Sequence, residues 1–409
     1  MTDVKKYGSS SLRIAIVTES YAPLNTSAAV QLAELSVALR NQGHVPVVIV
    51  PTDPSPNTPA VQRVQIEGTT VFRLAMPFSK KQGYARRLAY ETLMPFCMIR
   101  HWRKAIANTE NLDGVVWYSP SIFHGIFTHY LKRRHKIRGY LILRDIFPDW
   151  AVDLGIMKQY NPAYWFFKAV EHIQYRTADV IGVQTPGNLP HIQKWARSGG
   201  RRVEVLHNWY KPKDTTHCSI DIRNSSLSER KIFIYAGNIG IAQNMKLFVE
   251  LANRMQHRKD LGFVFVGRGT HFANIAAAAQ NLDNVLCFDE INSDEIPGLY
   301  RQCHYGIVSL HPHHMTHNIP GKFISYMGHG LPVLAAVNQG NDLIDLITQY
   351  GVGLATDTTS VTKLEAMATE LANSKETPLE WARRCTMLSQ SLFRPNAAAE
   401  QIVSTFVQP

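Results

Sequence analysis

Two segments in the second half of the chain constrain its fold more than any others. KIFIYAGNIGIAQNMKLFVELA (231–252) runs from an apolar stretch through Gly237-Asn238-Ile239-Gly240 into a helical pattern, with Met245, Phe248, Val249 and Ala252 on one face. NIPGKFISYMGHGLPVLAA (318–336) follows the same logic, with a Pro-Gly turn, a short helix, a glycine turn and a buried strand. Strand, glycine turn and helix in succession is how a parallel α/β sheet turns backbone N–H groups toward a phosphate. Two such corners in one domain, the second carrying the cation Lys322, point to a diphosphate ligand.

The rest of the chain alternates in the same way. LRIAIVTES (12–20), VPVVIVP (45–51), GVVWYSP (114–120), GYLILRDIFP (139–148), VIGVQTPG (180–187) and RVEVLHNWY (202–210) read as strands separated by helical patterns, and VQIEGTTVFRLAM (64–76) as a hairpin around Glu67-Gly68. GFVFVGRG (262–269), NVLCFDE (284–290), YGIVSLHP (305–312) and LPVLAAV (331–337) continue the series. Alternation of this kind predicts an α/β fold of doubly wound parallel sheets. The polar, Ser-rich run 211–230 is taken as the linker between an N-terminal domain (1–210) and a C-terminal domain (231–385), with 386–409 a final helix returning to the N-terminal domain. Two such domains on a hinge predict a deep cleft with ligands at the strand C-terminal ends.

At 409 residues, 45% hydrophobic and 18% charged, the chain has the composition of a two-domain globular protein. Five scattered cysteines without a C-x-x-C pair argue against a disulfide scaffold or a structural zinc site and favour a reducing, cytoplasmic location. No signal peptide precedes the first strand, and no run reaches the ~18 apolar residues of a membrane span. The net charge of +11 is unevenly placed. Residues 79–104 carry Lys80, Lys81, Arg86, Arg87, Arg100, Arg103 and Lys104 against Glu91, interleaved with aromatic and aliphatic side chains, and LKRRHKIR (131–138) adds a second cluster. Such a surface suits an anionic bilayer. It is also compatible with nucleic acid, but no nucleic-acid motif accompanies it, so a membrane is the expected partner.

Other residues sit where an α/β protein binds ligands. Arg144-Asp145 follow the apolar strand YLIL, and His124 follows the strand at 114–120 within SPSIFHG. Gly267-Arg268 lie in the VGRG turn. His311, His313, His314 and His317 have no metal-ligand spacing and no acid or cysteine beside them, so the expectation is a loop lining a ligand pocket and no metal. Trp165, Phe166 and Phe167 are read as core.

In combination these features resemble the GT-B glycosyltransferases and, within them, family 4 of the retaining enzymes. The closest resemblance is to a bacterial branch that includes the N-acetyl-L-fucosamine transferases of O-antigen and capsule assembly. It rests on Y-x-G-N-I-G-x-A-Q (Tyr235 to Gln243), P-x-K-x-x-x-Y-M-x-x-G-x-P-V (Pro320 to Val333) and R-D-x-x-P-x-x-x-x-x-x-G (Arg144 to Gly155), and it covers nearly the whole chain. The resemblance implies two facing Rossmann-like domains, a UDP-sugar donor and a polyprenyl-diphosphate-linked acceptor. It also implies peripheral attachment to the inner face of the inner membrane, retention by front-face attack, and no cofactor. Its donor site would include Gly237, Asn238, Gly240, Gln243, Gly267, Arg268, His317, Pro320, Gly321, Ser325 and Tyr326, and its catalytic set Lys322, Arg144, Asp145 and His124. The chain departs from the wider family at His317 and Ser325, where two glutamates are usual, and at Asn238 and Gln243, where an Arg and a Lys are usual. The usual Gly-Gly after the first strand is Ser27-Ala28. Charge for a diphosphate then falls to Lys322, with Arg268 second. A non-hydrolysing UDP-sugar 2-epimerase on the same fold and a polyanion-binding module are the rival readings.

Overall fold

The computed structural model describes residues 11–407 except 25, 57–58, 81–82, 107–109, 154, 198–199 and 314–317. The chain divides into two compact units. One runs to His207 and takes the chain back from Pro395; the other is Asn208–Arg394.

The first unit holds an eight-stranded sheet of β1 (Arg13–Val17), β2 (Val45–Thr52), β3 (Val61–Ile66), β4 (Thr69–Ala75), β5 (Gly114–Tyr118), β6 (Arg138–Leu143), β7 (Val180–Val183) and β8 (Arg202–Val205), ordered β3-β4-β2-β1-β5-β6-β7-β8. All pairs are parallel except β3 with β4. That hairpin turns at Glu67-Gly68, both at positive φ (47° and 75°), the backbone twist a two-residue hairpin needs. The inner strands β1, β5 and β6 are nearly continuous buried runs, as a sheet covered on both faces demands. Helix Tyr84–Ala105 places Tyr90, Met94, Met98 and Trp102 in the core at four-residue spacing and leaves Arg86, Arg87, Arg100, Arg103 and Lys104 exposed. Helix Pro395–Val407 packs against helix Ser27–Asn41 and β6.

The second unit holds six parallel strands, β9 (Lys231–Asn238), β10 (Leu261–Arg268), β11 (Val285–Asp289), β12 (Tyr305–Ser309), β13 (Val333–Ala336) and β14 (Gly353–Thr356), ordered β11-β10-β9-β12-β13-β14. Among the described residues no helix is long and apolar enough to cross a membrane, and all five cysteines are unpaired.

Three expectations need revision. Residues 211–230 are not a free-standing linker but part of the second unit, because Ile220, Ile222 and Leu227, dispersed among polar neighbours, are buried in its core. Helix Pro378–Leu392 also belongs there, with Cys385 and Leu388 buried, so the return to the first unit comes at Pro395 rather than at 386. Trp165 and Phe166 are exposed, not core: helix Pro162–Thr177 turns Tyr164, Glu171, Gln174 and Tyr175 inward instead.

Each sheet contains one place where the strand order reverses. In the first unit β1 has β2 on one side and β5 on the other; in the second, β9 has β10 on one side and β12 on the other. At such a switch point the connections leave a crevice beyond the strand C-terminal ends, where α/β proteins bind ligands.

Candidate functional site

The switch point of the second unit brings the two glycine corners together. β9 ends at Gly237-Asn238, and helix Gly321–Gly328 follows β12 with Pro320 as its N-cap. Lys322 lies in the first turn of that helix and points to the end of β9. Its Nζ sits 4.5 Å from the centroid of the buried Tyr235 ring, and a Cβ added to Gly237 would lie 3.1 Å from it. Gly237 has φ +136°, so this position requires glycine twice, for conformation and for room. Among the described residues no carboxylate pairs with Lys322, and burial lowers its pKa from 10.5 to about 8. A half-buried, unpaired ammonium beside the free N–H groups of a helix start is arranged to meet an anion. Ser309 at the end of β12 and Asn318 just before the helix each bury a side-chain oxygen that has no partner among the described residues.

The first corner is tied to itself. The side-chain oxygen of Gln243 accepts from the Gly240 N–H (2.9 Å) and from Asn238 Nδ2 (3.1 Å). The Ile239 N–H donates to the Arg268 carbonyl, and the Tyr235 hydroxyl donates to the Asn238 carbonyl. Asn238 and Gln243 thus shape the loop. Gly267 allows β10 to approach β9, since a Cβ there would fall 1.9 Å from the Gly237 carbonyl oxygen. The exposed Arg268 pairs with Glu290 at 3.2 Å.

One of the remaining donor-side expectations changes. Tyr326 is core, not a ligand contact: it is fully buried and its hydroxyl donates to the Ile234 carbonyl (3.0 Å), because its place in the helix puts it on the sheet-facing side with Phe323 and Met327. Burial raises the pKa of the Tyr300 hydroxyl, and the nearby Ser325 side chain partly opposes this. His317 and His314 lie outside the described residues. His311 and His313 stack edge to face at 5.1 Å, and no group of three potential metal ligands occurs among the described residues.

The switch point of the first unit opens a cavity of about 360 Å³, lined among others by Glu19, Tyr118, Phe123, Phe147, Trp150 and the two cations Lys80 and Arg87. Glu19 lies two residues past the end of β1 and pairs with Lys80 at 3.0 Å. Burial works against its charge, but His124, Lys80 and the Ser121 hydroxyl outweigh this and hold its pKa below the ordinary value. His124 starts helix His124–His135 with no exposed surface, and neither ring nitrogen has a hydrogen-bond partner among the described residues. Burial pushes its pKa down to about 4, so it is neutral at pH 7. His124 has no exposed surface and does not line the cavity. Arg144 is likewise structural. It is buried, and its guanidinium donates to the Leu206 (2.7 Å) and His207 (3.4 Å) carbonyls, pinning the end of β6 to the chain leaving β8. Asp145 is half-buried, and burial raises its pKa, with Arg144 opposing. Glu19 was not among the expected site residues. Its one local signal is its place just past the C-terminal end of a buried strand.

Residues 230–373 match the family described as glycosyl transferases group 1. The matched span lies wholly within the second unit and covers most of it. A protein of Pseudomonas aeruginosa named as a glycosyltransferase, WbjE, is 20% identical over 219 residues, and the match spans 52% of this chain and 54%, about half, of that protein. A protein of Escherichia coli named as a colanic acid biosynthesis glycosyl transferase, WcaI, is 24% identical over 324 residues, 72% of this chain and 76% of that one. Among solved structures, the trehalose-6-phosphate protein of E. coli bound with UDP-2-fluoro glucose superposes with a TM-score of 0.71 at 11% identity, covering 97% of this chain and 99% of the other. WaaG, a glycosyltransferase involved in lipopolysaccharide biosynthesis, gives 0.65 at 13%, covering 97% and 100%. The likeness establishes the GT-B fold across both units. The matched span contains both corners and Lys322.

Proposed function

We propose that the protein is a retaining glycosyltransferase that takes a sugar from a UDP-linked donor and passes it to a polyprenyl-diphosphate-linked saccharide during assembly of a bacterial surface polysaccharide. The donor in this reading is a UDP-N-acetyl-deoxyhexosamine such as UDP-N-acetyl-L-fucosamine. One observation carries it: within the span that matches the group 1 glycosyl transferases, Lys322 stands without a partner among the described residues at a helix start on the switch point, against Gly237. As the glycosidic bond to the donor breaks, negative charge grows on the leaving diphosphate. Lys322 and the helix N–H groups are already placed to stabilise that charge, so little reorganisation is needed. The first-unit cavity is assigned to the acceptor, with Glu19 accepting a hydrogen bond from the attacking hydroxyl. Front-face attack needs no carboxylate nucleophile on the donor side, in keeping with His317 and Ser325 at the positions where the wider family has glutamates. The names of WcaI and WaaG support a role in surface polysaccharide, and the exposed cations of helix Tyr84–Ala105 and of 131–138 support a peripheral place on anionic lipid at the inner face of the inner membrane.

A thermal-shift panel of UDP, GDP and dTDP sugars tests the reading. A ligand at a hundred times its dissociation constant stabilises by about 2.7 kcal/mol. UDP and a UDP-N-acetyl-deoxyhexosamine are expected to shift the transition, and at the same ligand concentration the shift should fall to about half or less in Lys322→Met. No shift with any nucleotide sugar would refute the proposal. Conversion of UDP-GlcNAc without an acceptor would establish the epimerase instead.

A further inference from the structure

Helix Pro162–Thr177 and the residues leading into it leave an unusual group of side chains in solvent. Ile156 is 67% exposed, Tyr160 77%, Trp165 65% and Phe166 39%. The Lys158 ammonium lies 5.6 Å over the Tyr160 ring. Single exposed aliphatic residues are ordinary, but Trp, Tyr, Phe and Ile gathered within one short segment are not. Nor is the patch isolated. The Phe166 ring centroid is 6.4 Å from Phe123 and 5.4 Å from Phe167, Phe167 is 5.0 Å from Phe147, and Phe147 is 6.0 Å from Trp150. Phe123, Phe147 and Trp150 line the Glu19 cavity. A series of ring contacts, through the buried Phe123 and the partly buried Phe167 and Phe147, therefore connects Phe166 of the exposed patch to the lining of that cavity, which is bordered by Arg87 from the basic helix Tyr84–Ala105.

We infer that the patch of Ile156, Tyr160, Trp165 and Phe166 is a membrane-insertion site that seats in the interfacial layer of a lipid bilayer and holds the mouth of the Glu19 cavity at the membrane. Trp and Tyr rings settle at the headgroup level because one part of each ring is apolar and another carries a hydrogen-bonding group. The cations on helix Tyr84–Ala105 attract anionic lipid, but that attraction is screened as salt rises. Aromatic insertion is not screened, so the two features supply separable parts of the binding. With the cavity mouth held at the membrane, a lipid-linked acceptor would reach Glu19 without leaving the bilayer. This last step rests on the proposed function; insertion itself does not.

The test uses the full chain and vesicles of phosphatidylethanolamine with phosphatidylglycerol, at low and high salt, with and without brominated acyl chains. Tryptophan fluorescence of the wild type is expected to be quenched by the brominated lipid, and Trp165→Phe is expected to lose most of the quenching. The double variant Tyr160→Ser/Trp165→Ser, altered only at exposed positions, is expected to lose about tenfold or more of the binding that survives high salt. Its KM for a long-chain lipid-linked acceptor should rise by a similar factor, while activity on a short-chain, water-soluble acceptor stays at the wild-type level. Unchanged quenching in Trp165→Phe, wild-type vesicle binding of the double variant at high salt, or equal loss on both acceptors would overturn the inference and assign the patch to the fold or to a protein partner. If no nucleotide sugar binds the wild type, the glycosyltransferase reading fails, and the vesicle measurements still decide the patch.

Discussion

Replacing Lys322 by Met should move stability and donor binding in opposite directions. Met keeps the apolar stem against the Tyr235 ring and removes the charge. Burial holds the Lys322 pKa at about 8 rather than 10.5. That difference sets an upper limit of roughly 3.4 kcal/mol on what the charged side chain costs the free protein. The cation–π attraction disappears with the charge, which offsets about 0.5–1 kcal/mol of the gain. A net stabilisation of about 1–3 kcal/mol is expected at pH 7, raising the melting temperature of a unit of this size by about 3–10 °C. The sign follows from proton binding. Below pH 8 both folded and unfolded chains hold the proton and the full cost is present. Between pH 8 and 10.5 the unfolded chain binds more protons than the folded one, so wild-type stability rises and the gap to the variant closes. Donor binding moves the other way. Removing a charge-assisted hydrogen bond of about 1.5–3 kcal/mol weakens UDP-sugar binding and kcat/KM by about ten- to a hundredfold. Wild-type donor affinity should also fall as pH rises past 8. Differential scanning calorimetry from pH 7 to 10.5 with titration of UDP at each pH checks both parts. A variant that is less stable at pH 7 and binds UDP normally would refute the argument, because Lys322 would then serve the fold.

The other expectations follow from the same two switch points. Gly237→Ala adds a Cβ 3.0 Å from Lys322 Cε at a φ of +136°, so it should destabilise the protein by about 1–3 kcal/mol and weaken UDP binding, both read from one thermal-shift titration. Glu19→Gln should lower kcat/KM for the acceptor by about ten- to a hundredfold and leave the UDP-induced shift unchanged; loss of UDP binding would show that Glu19 does not belong to the acceptor pocket alone. If Lys322 and the helix start meet the leaving-group charge, transfer should continue in EDTA. Abolition by chelator with recovery on Mg²⁺ or Mn²⁺ would instead assign that charge to a metal.

Local pattern was enough for most elements. The stretches read as strands at 45–51, 231–237 and 262–269 are Val45–Thr52, Lys231–Asn238 and Leu261–Arg268 in the structure, because a strand covered on both faces must be a continuous apolar run with a turn residue at its end. The Glu67-Gly68 hairpin was legible for the same local reason. The edge strand Gly353–Thr356 was not, since GLAT is short and only partly buried. The run 211–230 misled because composition averages over a segment, whereas Ile220, Ile222 and Leu227 reach the core one at a time. The exposed Trp165 and Phe166 misled in the opposite sense, since residue type alone does not say which face of a helix meets the core.

By itself the sequence determined an α/β chain of parallel sheets with two glycine corners and a cation at the second, because those features depend on residues adjacent in the chain. Tertiary structure decided what those corners meet. Lys322 reaches Gly237 only because β12 lies beside β9, and Glu19 meets Lys80, 61 residues away, only because β1 stands between β2 and β5. It also turned Arg144, His124 and Tyr326 from candidates into supporting residues, by burying them. Periodicity reports whether a segment has an inside, but which residues share a crevice depends on the order of strands in the sheet, and that order is set by the packing of the whole unit.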